Sequence, residues 1–406
     1  MWQSVYSRDE YLESLERRLL EHSEHTDITL LLPCLFSELS VKKEGTDELV
    51  LDNMVSEIDK AAYLNQVTVA LGGTKDQEDF DEAKRYFGSL KTEKRDVNVV
   101  WVDGPGVQEV LKDIESKGLF IGTGGKGQSV WTALGYLFAE DKSDVIALHD
   151  CDIVTYDRLL PARLIDPVAD PNNDYQFAKG YYSRISPSMH EMKGRVTRLF
   201  IAPFLQTMIA ASRKAKDPEL EGFFRYHSSF KYPLAGEFCW KAQSLARGMD
   251  IASDWALEVA SLSEGYNRTI SSKICQTWLC ENYEHKHQVM SNEDKSRGLH
   301  RMVADISRFY LWYASAHGMP LDEPLFRSIA DSFMVNGLAL VKSYSDDATA
   351  NNLSYDRHAE ELAVEDFSRF MHTGWEQFRE ESRKPSMLPS WNRVLDKYSE
   401  LGDKLY

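Results

Sequence analysis

Two carboxylates, Asp150 and Asp152, end the apolar run VIALHDCD and are well suited to hold a metal ion. An apolar strand that ends in Asp-x-Asp places its carboxylates at the carboxyl edge of a parallel sheet, where open α/β sheets bind their ligands. Hard oxygen donors at such an edge favour Mg²⁺ or Mn²⁺, and the cation in turn neutralises a diphosphate. Alone the pair is a weak signal, because a helix cap or a solvated pair of aspartates has the same sequence.

The segment GTGGKGQS, residues 122–129, holds four glycines and Lys126, a composition typical of phosphate-binding loops. It is not a P-loop, because Gly127 stands where a P-loop has the Ser or Thr that reaches magnesium. The dinucleotide fingerprint also fails, since that motif closes the first strand of a domain and three apolar runs precede this loop. A glycine–lysine loop followed by Asp-x-Asp in one α/β domain instead indicates a nucleotide-sugar glycosyltransferase of the GT-A type.

Apolar runs that alternate with amphipathic segments must position these loops, and they predict βαβ units around a buried parallel sheet. The first predicted strands are residues 28–35, 66–73, 97–104 and 144–152, with helices at 46–64, 76–90, 106–118 and 127–141. Further strands are predicted at 175–184 and 269–285, with helices around 194–216 and 238–263. From about Ser291 the pattern is helical only, at 301–318, 325–344 and 357–382.

The fold class predicted from this pattern is α/β: a GT-A type nucleotide-sugar-binding sheet flanked by helices, with a helical C-terminal extension. The glycosyltransferase domain is predicted at residues 1–290, with a donor half at about 27–152 and an acceptor half at about 153–290. The extension is predicted at 291–406, and we expect it to act as a lid or a dimer contact.

The bulk composition narrows the function classes. A formal net charge of −17 argues against nonspecific binding to nucleic acid or to an anionic membrane. No apolar run is long enough to cross a bilayer, and residues 1–22 read as a charged amphipathic helix, so we expect a cytoplasmic protein. The five cysteines have no zinc-site spacing and are expected to be reduced thiols.

One region reverses the overall charge. Between Tyr175 and Lys216 there are eight basic residues against one acidic residue, Glu191. A solvated basic helix face would produce such a cluster, but in an acidic protein it also fits a site for an anionic ligand, which is the interpretation we favour. The basic residues are Lys179, Arg184, Lys193, Arg195, Arg198, Arg213, Lys214 and Lys216.

Eight segments between about residues 27 and 290 carry a further signal: LLPCL, GGKGQSVW, DCD, FAKGYYSR, GRVTRLFIAPFL, YPLAGEFCW, ALEVASL and YEHKHQ. In this order and at compatible intervals they resemble the retaining glucosyl-3-phosphoglycerate synthases, relatives of the mannosylglycerate-forming enzymes. The resemblance implies transfer of glucose from UDP- or GDP-glucose to 3-phosphoglycerate, with Mg²⁺ or Mn²⁺ as cofactor. It also implies a cytoplasmic enzyme, and we expect a homodimer.

The resemblance further implies roles for individual residues at the donor side. Lys126, Asp152 and Glu258 would be catalytic, and Asp152 would share the metal with His285, with His287 as the fallback ligand. Glu237 and Glu258 would face the transferred sugar. The donor-binding residues implied are Pro33, Leu35, Glu38, Gly72, Gly125, Lys126, Asp150, Cys151, Asp152, Gly236, Glu237 and Glu258.

On the acceptor side, the family's phosphate-binding loop matches GRVT, which is Gly194, Arg195, Val196 and Thr197, and we add Lys179 and Arg184 from the basic region. Two positions depart from the family pattern. Tyr283 stands two residues before His285, where mycobacterial-type members have an arginine before the EH pair. Glu38 lies one residue from the expected acidic position, which weakens its assignment to the base or ribose.

Several alternatives stay open at this stage. Retention is expected to follow a front-face route in which the leaving phosphate oxygen takes the acceptor's proton, and a covalent route through Glu258 is the alternative. Mannosyl transfer from GDP-mannose to 3-phosphoglycerate or glycerate is the nearest other activity. A sugar-phosphate nucleotidyltransferase is more distant, because its glycine-rich loop normally follows the first strand. A non-enzymatic sugar-binding protein would not need Asp152, His285 and the basic loop together.

Overall fold

The computed structural model describes residues 7–43, 45–122, 124–186, 189–285, 298–380 and 387–397. Its strands are β1 (Ile28–Leu35), β2 (Gln66–Gly72), β3 (Asp96–Trp101), β4 (Val145–Leu148), β5 (Phe177–Tyr182), β6 (Ile185–Ser186), β7 (Glu191–Met192), β8 (Phe238–Lys241), β9 (Ile251–Ala252), β10 (Ile274–Cys280) and β11 (Met387–Leu388). Its α-helices are α1 (Arg8–His22), α2 (Val50–Asp59), α3 (Gln77–Gly88), α4 (Pro105–Ser116), α5 (Lys126–Glu140), α6 (Leu159–Ala169), α7 (Ala202–Ala215), α8 (Pro218–Ser228), α9 (Leu257–Arg268), α10 (Gly298–Ala316), α11 (Glu323–Ala350), α12 (Arg357–Glu380) and α13 (Trp391–Lys397).

Seven strands form one sheet in the order β10-β5-β8-β4-β1-β2-β3. All neighbours run parallel except β8, which is antiparallel to both β4 and β5. β1 pairs with β2 and β4 over its apolar run, so the carboxyl ends of these strands meet at one edge. The α/β class predicted from the alternating pattern is confirmed. Within the described ranges, no helix has the length and apolar character needed to cross a membrane.

The helix predicted at 238–263 is wrong in its first part. Residues Phe238–Lys241 form β8, in the middle of the sheet, and the helix begins only at Leu257. Cys239 of this strand pairs with Ala147 on one side and Ala178 on the other. A four-residue apolar run is too short for its periodicity to distinguish a strand from a helix, and pairing with two strands on either side decides the outcome.

Both faces of the sheet are buried, as expected for strands that are apolar throughout. Along β1, Leu30 and Leu32 pack into the core beneath α1, α2, α3 and α6, whereas Leu31 packs into the core beneath α4, α5 and α9. The helices thus hold β1 and β4 rigidly on both sides. This rigidity fixes the loops that leave their carboxyl ends.

The C-terminal helices pack against the acceptor half of the chain. Phe309 and Phe367 share a third hydrophobic cluster with Phe200, Phe204 and other residues of α7 to α9. The domain boundary predicted at residue 290 falls within 286–297, outside the described residues. The two-residue strand β11, antiparallel to β9, interrupts the helical pattern predicted from Ser291.

The last described segment also packs against α5. The Trp391 ring stacks on Trp131 with a centroid distance of 4.4 Å. Trp391 Nε1 donates to the Trp131 carbonyl at 2.8 Å, and Trp131 Nε1 donates to the Pro389 carbonyl at 2.7 Å. A Cβ on Gly135 would lie 1.9 Å from the Trp391 ring, so only glycine fits at this position of α5.

Candidate active site

The Asp-x-Asp pair lies where its sequence predicts, at the carboxyl edge of the sheet. β4 ends at Leu148, and Asp150 and Asp152 follow within four residues. Ile153 forms an antiparallel bridge with His285, so the segment after β10 runs beside the segment that carries Asp152. Asp152 and His285, the two predicted metal ligands, line the same cavity of about 490 Å³.

Lys126 is the first residue of α5 and connects two carboxylates. Its Nζ lies 2.6 Å from Asp150 Oδ1 and 3.1 Å from Glu258 Oε1. Burial alone would lower the pKa of Lys126, but Asp150 and Glu258 raise it above its usual value. The same contact with Lys126 outweighs burial at Asp150 and lowers the pKa of that carboxyl. Lys126 is therefore a permanent cation in this site.

The glycines around Lys126 have a packing role that the sequence interpretation did not include. Gly125 has φ +123, and a Cβ there would lie 2.8 Å from the Ser253 carbonyl oxygen. A Cβ on Gly127 would lie 1.8 Å from the Ala252 carbonyl oxygen. These glycines let the start of α5 lie directly against the backbone of β9, which places Lys126 in the site.

A second cavity, of about 550 Å³, holds most of the predicted donor residues. It shares Lys126, Asp150, Asp152 and Trp255 with the first cavity, so the two cavities meet at these residues. The predicted donor residues in its wall are Pro33, Leu35, Glu38, Gly72, Gly125, Lys126, Asp150, Cys151 and Asp152. We call it the donor cavity, and the 490 Å³ cavity the acceptor cavity.

Acidic residues predominate in the donor cavity. Among the described residues of its wall there are five carboxylates, from Glu38, Asp103, Asp150, Asp152 and Asp254, and two cations, Lys126 and Arg301. A diphosphate would meet net repulsion in such a wall unless a divalent cation entered with it. The charge balance of this cavity is therefore suited to a metal–diphosphate pair.

Asp152 and His285 fit a hard divalent cation. Burial, together with the neighbouring Asp150 carboxylate, raises the pKa of Asp152 to about 8, and the positive charge of Lys126 offsets only part of this rise. A carboxylate oxygen and an imidazole nitrogen are ligands that suit Mn²⁺ or Mg²⁺ when diphosphate oxygens and water complete the shell. His287, the fallback ligand, lies outside the described residues.

A different set of donor atoms lies in the donor cavity. Cys34 lies near the end of β1 and Cys151 follows β4, and with Glu38 they place one donor atom each within 4.8 Å of one another. Thiols prefer softer ions than Mg²⁺ or Mn²⁺, so this set fits the expected cofactor less well than Asp152 and His285 do. Cys151 is 2% exposed, and its contribution to the donor cavity is mainly to pack against Cys34.

The acceptor cavity contains the predicted phosphate loop. Gly194, Arg195, Val196, Thr197 and Arg184 all line it. Gly194 has φ +75, and a Cβ there would lie 2.8 Å from the Tyr232 hydroxyl. The loop leads into a π-helical turn, Val196–Ile201, which continues as α7. Gly236 lies in the same wall, where a Cβ would come within 2.4 Å of Asp150 Oδ2.

One predicted contact is corrected by the structure, and a second predicted residue is more deeply buried than expected. Lys179 is 1% exposed, donates to the Ala235 carbonyl and lies 3.7 Å from the centre of the Phe238 ring, away from the acceptor cavity wall. Burial lowers the pKa of Lys179 to about 7. Glu237, which directly precedes β8, is fully buried, and its contact with the sugar stays a prediction.

Tyr283, the departure from the family pattern, contacts Glu237. Its hydroxyl donates to Glu237 Oε1 at 2.5 Å, and its ring stacks on Tyr182 at 3.7 Å. Burial, with Asp150 as the second cause, raises the pKa of Glu237 to about 7. Tyr283 thus binds a buried carboxyl group.

The basic region divides into two parts. Arg184, Lys193 and Arg195 line the acceptor cavity, whereas Arg213, Lys214 and Lys216 lie at the C-terminal end of α7. Arg213 pairs there with Glu221 on α8. The ligand interpretation fits the first three residues, and the solvated helix face fits the last three.

The sequence analysis missed residues that come from distant parts of the chain. Trp255 lies in both cavities, Arg301 lies in the donor cavity, and Leu299 and Met302 lie in the acceptor cavity. The last three belong to the first turn of α10, in the segment expected to act as a lid or dimer contact. Of these residues, Trp255 had a signal in the sequence: it lies in the unusually apolar stretch around Glu258.

Comparison with known proteins finds relatives over nearly the whole chain. A glucosyl-3-phosphoglycerate synthase of Persephonella marina is 35% identical over 398 residues, which cover 98% of this chain and 93% of the relative. A glucosyl-3-phosphoglycerate synthase of Methanococcoides burtonii is 34% identical over 398 residues, which cover 97% and 92%. No family model matches the chain.

Solved structures of glucosyl-3-phosphoglycerate synthase from Mycobacterium tuberculosis share the fold. The complex with Mn²⁺, UDP and glucosyl-3-phosphoglycerate has a TM-score of 0.51 at 17% identity, covering 79% of this chain and 88% of that chain. The complex with Mn²⁺, UDP-glucose and phosphoglyceric acid has a TM-score of 0.51 at 18% identity, covering 79% and 87%. The relatives at 34% and 35% identity confirm the resemblance noted in the sequence motifs, and the solved structures confirm the fold.

Proposed function

The chain belongs to the glucosyl-3-phosphoglycerate synthase family, and on this basis we propose that it transfers glucose from a nucleoside diphosphate to 3-phosphoglycerate, with retention of configuration. One observation supports this most directly: the acid-rich donor cavity and the acceptor cavity, which contains the arginine of the GRVT loop, meet at Lys126, Asp150 and Asp152. A sugar attached to a metal-bound diphosphate in one cavity would then point at an anionic acceptor in the other. The complexes of the tuberculosis enzyme contain these ligand classes.

Asp152 and His285 would hold Mg²⁺ or Mn²⁺, and the cation would supply Lewis-acid stabilisation of the leaving diphosphate. Lys126 supplies a second positive charge at the junction of the cavities. Asp150 and Glu258 orient its ammonium group from either side, so that no reorganisation is needed when negative charge develops on the leaving group. Asp150 thereby positions Lys126 as well as lining the donor cavity.

The acceptor cavity would bind the phosphate of 3-phosphoglycerate through GRVT. The Arg195 guanidinium can donate two parallel hydrogen bonds to a phosphate. Backbone amides near Gly194 and the Thr197 hydroxyl are the neutral donors at the same wall. Bound in this way, the acceptor hydroxyl would point towards the residues shared with the donor cavity.

For retention we propose the front-face route, in which a leaving phosphate oxygen takes the acceptor's proton. Glu258 Oε1 already accepts a hydrogen bond from Lys126 at 3.1 Å, which favours a positioning role for this carboxylate over attack on the sugar. The covalent route through Glu258 is tested by Glu258→Gln. That variant should keep measurable transfer in the front-face route, whereas trapping of a glucosyl adduct on Glu258 in the unmodified enzyme would contradict it.

Product analysis tests the activity as a whole. UDP-glucose, GDP-glucose and GDP-mannose are each supplied with 3-phosphoglycerate or with glycerate, with and without Mn²⁺ or Mg²⁺. We expect a glucosyl-3-phosphoglycerate with the anomeric configuration of the donor, formed only with metal. Full activity in EDTA would contradict the metal assignment, and faster mannosyl transfer would favour the alternative activity. Release of pyrophosphate from a nucleoside triphosphate would indicate a nucleotidyltransferase instead.

The assembly state stays a prediction. A homodimer is expected from the sequence analysis, and sedimentation equilibrium on the full chain measures it. A monomer at enzyme-assay concentration would contradict the expectation, and the product analysis tests the proposed activity separately.

A further inference from the structure

A carboxylate of the C-terminal helices, Glu360 in α12, lies directly behind the acceptor cavity. Its side chain is 4% exposed, and each of its oxygens binds a different arginine. Arg195 Nε donates to Oε1 at 2.7 Å, and Arg198 Nη1 donates to Oε2 at 2.8 Å. A buried carboxylate costs several kcal/mol to leave unpaired, so this arrangement strongly restricts where the two guanidinium groups lie.

Arg198 connects the segment before the GRVT loop to the C-terminal helices α11 and α12. Its Nε donates to the Lys193 carbonyl at 3.1 Å and its Nη2 to the Met192 carbonyl at 3.4 Å. The guanidinium also lies 4.9 Å from the centre of the Tyr344 ring of α11. With its side chain 12% exposed, Arg198 has its donors directed at protein atoms.

Arg195 differs from Arg198 in its surroundings. Its side chain is 43% exposed and lines the acceptor cavity. Among the residues that the structure describes, its ion-pair partner is Glu360, and the atom engaged is Nε. The two terminal amino groups of a guanidinium form a separate edge that can bind an oxyanion while Nε is occupied.

We propose that Glu360 is a positioning residue for the acceptor: by binding Nε of Arg195 it orients the terminal amino groups towards the phosphate of 3-phosphoglycerate. The inference rests on the proposed function, in which Arg195 binds that phosphate. It gives α12 a part in acceptor recognition, in addition to the lid or dimer role expected from the sequence. Two guanidinium charges and one carboxylate also leave a single net positive charge at this wall, which matches an anionic acceptor.

Glu360→Gln tests the proposal because it keeps the shape and removes the charge. The amide retains one acceptor but turns a donor towards one of the two arginines, so the guanidinium groups lose their common anchor. We expect KM for 3-phosphoglycerate to rise about 10-fold, the equivalent of one charged hydrogen bond, with kcat and the donor KM nearly unchanged. With glycerate as acceptor, which lacks the phosphate, KM should change little.

A matched control lies next to it in the same helix. Glu361 pairs with Arg357 on the outer side of α12, so Glu361→Gln removes the same charge without touching the acceptor loop. It should leave all kinetic constants unchanged. Glu360→Asp keeps the charge on a shorter side chain and should recover part of the 3-phosphoglycerate affinity, which a purely structural loss would not allow.

A double-mutant cycle with Arg195→Ala separates positioning from general stability. If Glu360 acts through Arg195, Glu360→Gln should add no further rise in KM for 3-phosphoglycerate once Arg195 is absent. Three results would overturn the inference. They are additive rises in KM for 3-phosphoglycerate in the double variant, an equal rise in KM for glycerate, and a higher KM for the donor. A lower KM in Glu360→Gln would also overturn it, because Glu360 would then compete with the phosphate for Arg195.

The same measurements distinguish this inference from the proposed function. If Arg195→Ala affects 3-phosphoglycerate and glycerate equally, the acceptor assignment of Arg195 fails first. If Arg195→Ala is selective for 3-phosphoglycerate and Glu360→Gln has no effect, only the role of Glu360 fails. Thermal unfolding of each variant shows whether the chain has kept its fold, and Glu360→Asp serves as the reference if Glu360→Gln does not fold.

Discussion

The donor and acceptor cavities share a boundary and differ in how the chain builds them. The donor cavity comes mainly from segments that follow the carboxyl ends of β1, β2 and β4, and its charges are mostly acidic. The acceptor cavity collects Arg184, Lys193 and Arg195 from the middle of the chain, and α12 holds one of these arginines from behind. The donor cavity thus lies mostly at strand ends and the start of α5, with Arg301 added from α10, whereas the acceptor loop is also held from behind by α12.

The difference also concerns charge. The acid-rich donor cavity requires an added cation before it can accept a diphosphate, whereas the described wall of the acceptor cavity has equal numbers of basic and acidic residues and includes Arg195 of the GRVT loop. Metal removal should therefore affect the two substrates unequally: donor binding should be lost, and 3-phosphoglycerate binding should be largely kept. The variants that follow test this asymmetry, beginning with the largest expected effect.

Asp152→Asn should cause the largest loss of activity, through the donor cavity. The variant removes the carboxylate charge from the proposed metal site, and we expect kcat/KM to fall roughly 10³-fold, since metal stabilisation of a leaving group is worth several kcal/mol. Calorimetric titration with UDP, with and without Mn²⁺, checks the cause. The control is Asp174→Asn, because Asp174 is exposed and forms an ion pair with Lys273. Metal-dependent UDP binding of normal strength in Asp152→Asn would rule the assignment out.

Lys126→Ala should come next, at the boundary of the two cavities. Loss of a positioned cation at the leaving group is expected to lower kcat/KM for the donor roughly 10²-fold, while 3-phosphoglycerate binding stays nearly intact. Steady-state kinetics with each substrate varied in turn measures both. Lys142→Ala, whose partner Asp96 is exposed, should have no effect. An equal loss of acceptor affinity would mean that Lys126 organises both cavities.

Arg195→Ala should weaken the use of the acceptor 3-phosphoglycerate. We expect a loss of about 10- to 150-fold in kcat/KM for 3-phosphoglycerate, the range for a hydrogen bond to a charged group, and a much smaller loss for glycerate. Arg195→Lys should recover only part, because lysine lacks the two-donor fork. Arg213→Ala, from the same basic region but paired with Glu221, is the control. Equal losses with both acceptors would contradict the phosphate contact.

Arg301→Ala should have the smallest effect and should fall on the donor side. Arg301 lies in the donor cavity but is 45% exposed, so we expect about a 3- to 10-fold rise in donor KM that weakens further at high salt. Kinetics at two ionic strengths measures it, and Arg327→Ala, on the exposed face of α11, is the control. A change confined to 3-phosphoglycerate would place Arg301 with the acceptor instead.

The sequence predicted the local parts of this site well. Asp152 and Lys126 lie where the strand–loop pattern expected them, because the carboxyl edge of a parallel sheet follows from short-range alternation of strands and helices. Lys179 was misplaced, since only the position of β5 inside the sheet shows that this polar side chain is buried. Glu360 could not have been predicted at all: its contact with Arg195 spans 165 residues, and nothing in α12 marks it.

The packing of Trp391 on Trp131 has a consequence for how the chain folds. α5, which begins at Lys126, is joined to a tryptophan 260 residues further along the chain. Contacts between such distant residues form slowly, because the intervening chain must first be ordered. During synthesis Trp131, fully buried in the finished protein, stays uncovered until residues 387–397 have been made. The glycine–lysine loop before α5 thus gains its final support only after residues 387–397 have been made, and a chain that stopped short of Trp391 would contain every motif assigned to the donor side while leaving α5 incompletely packed.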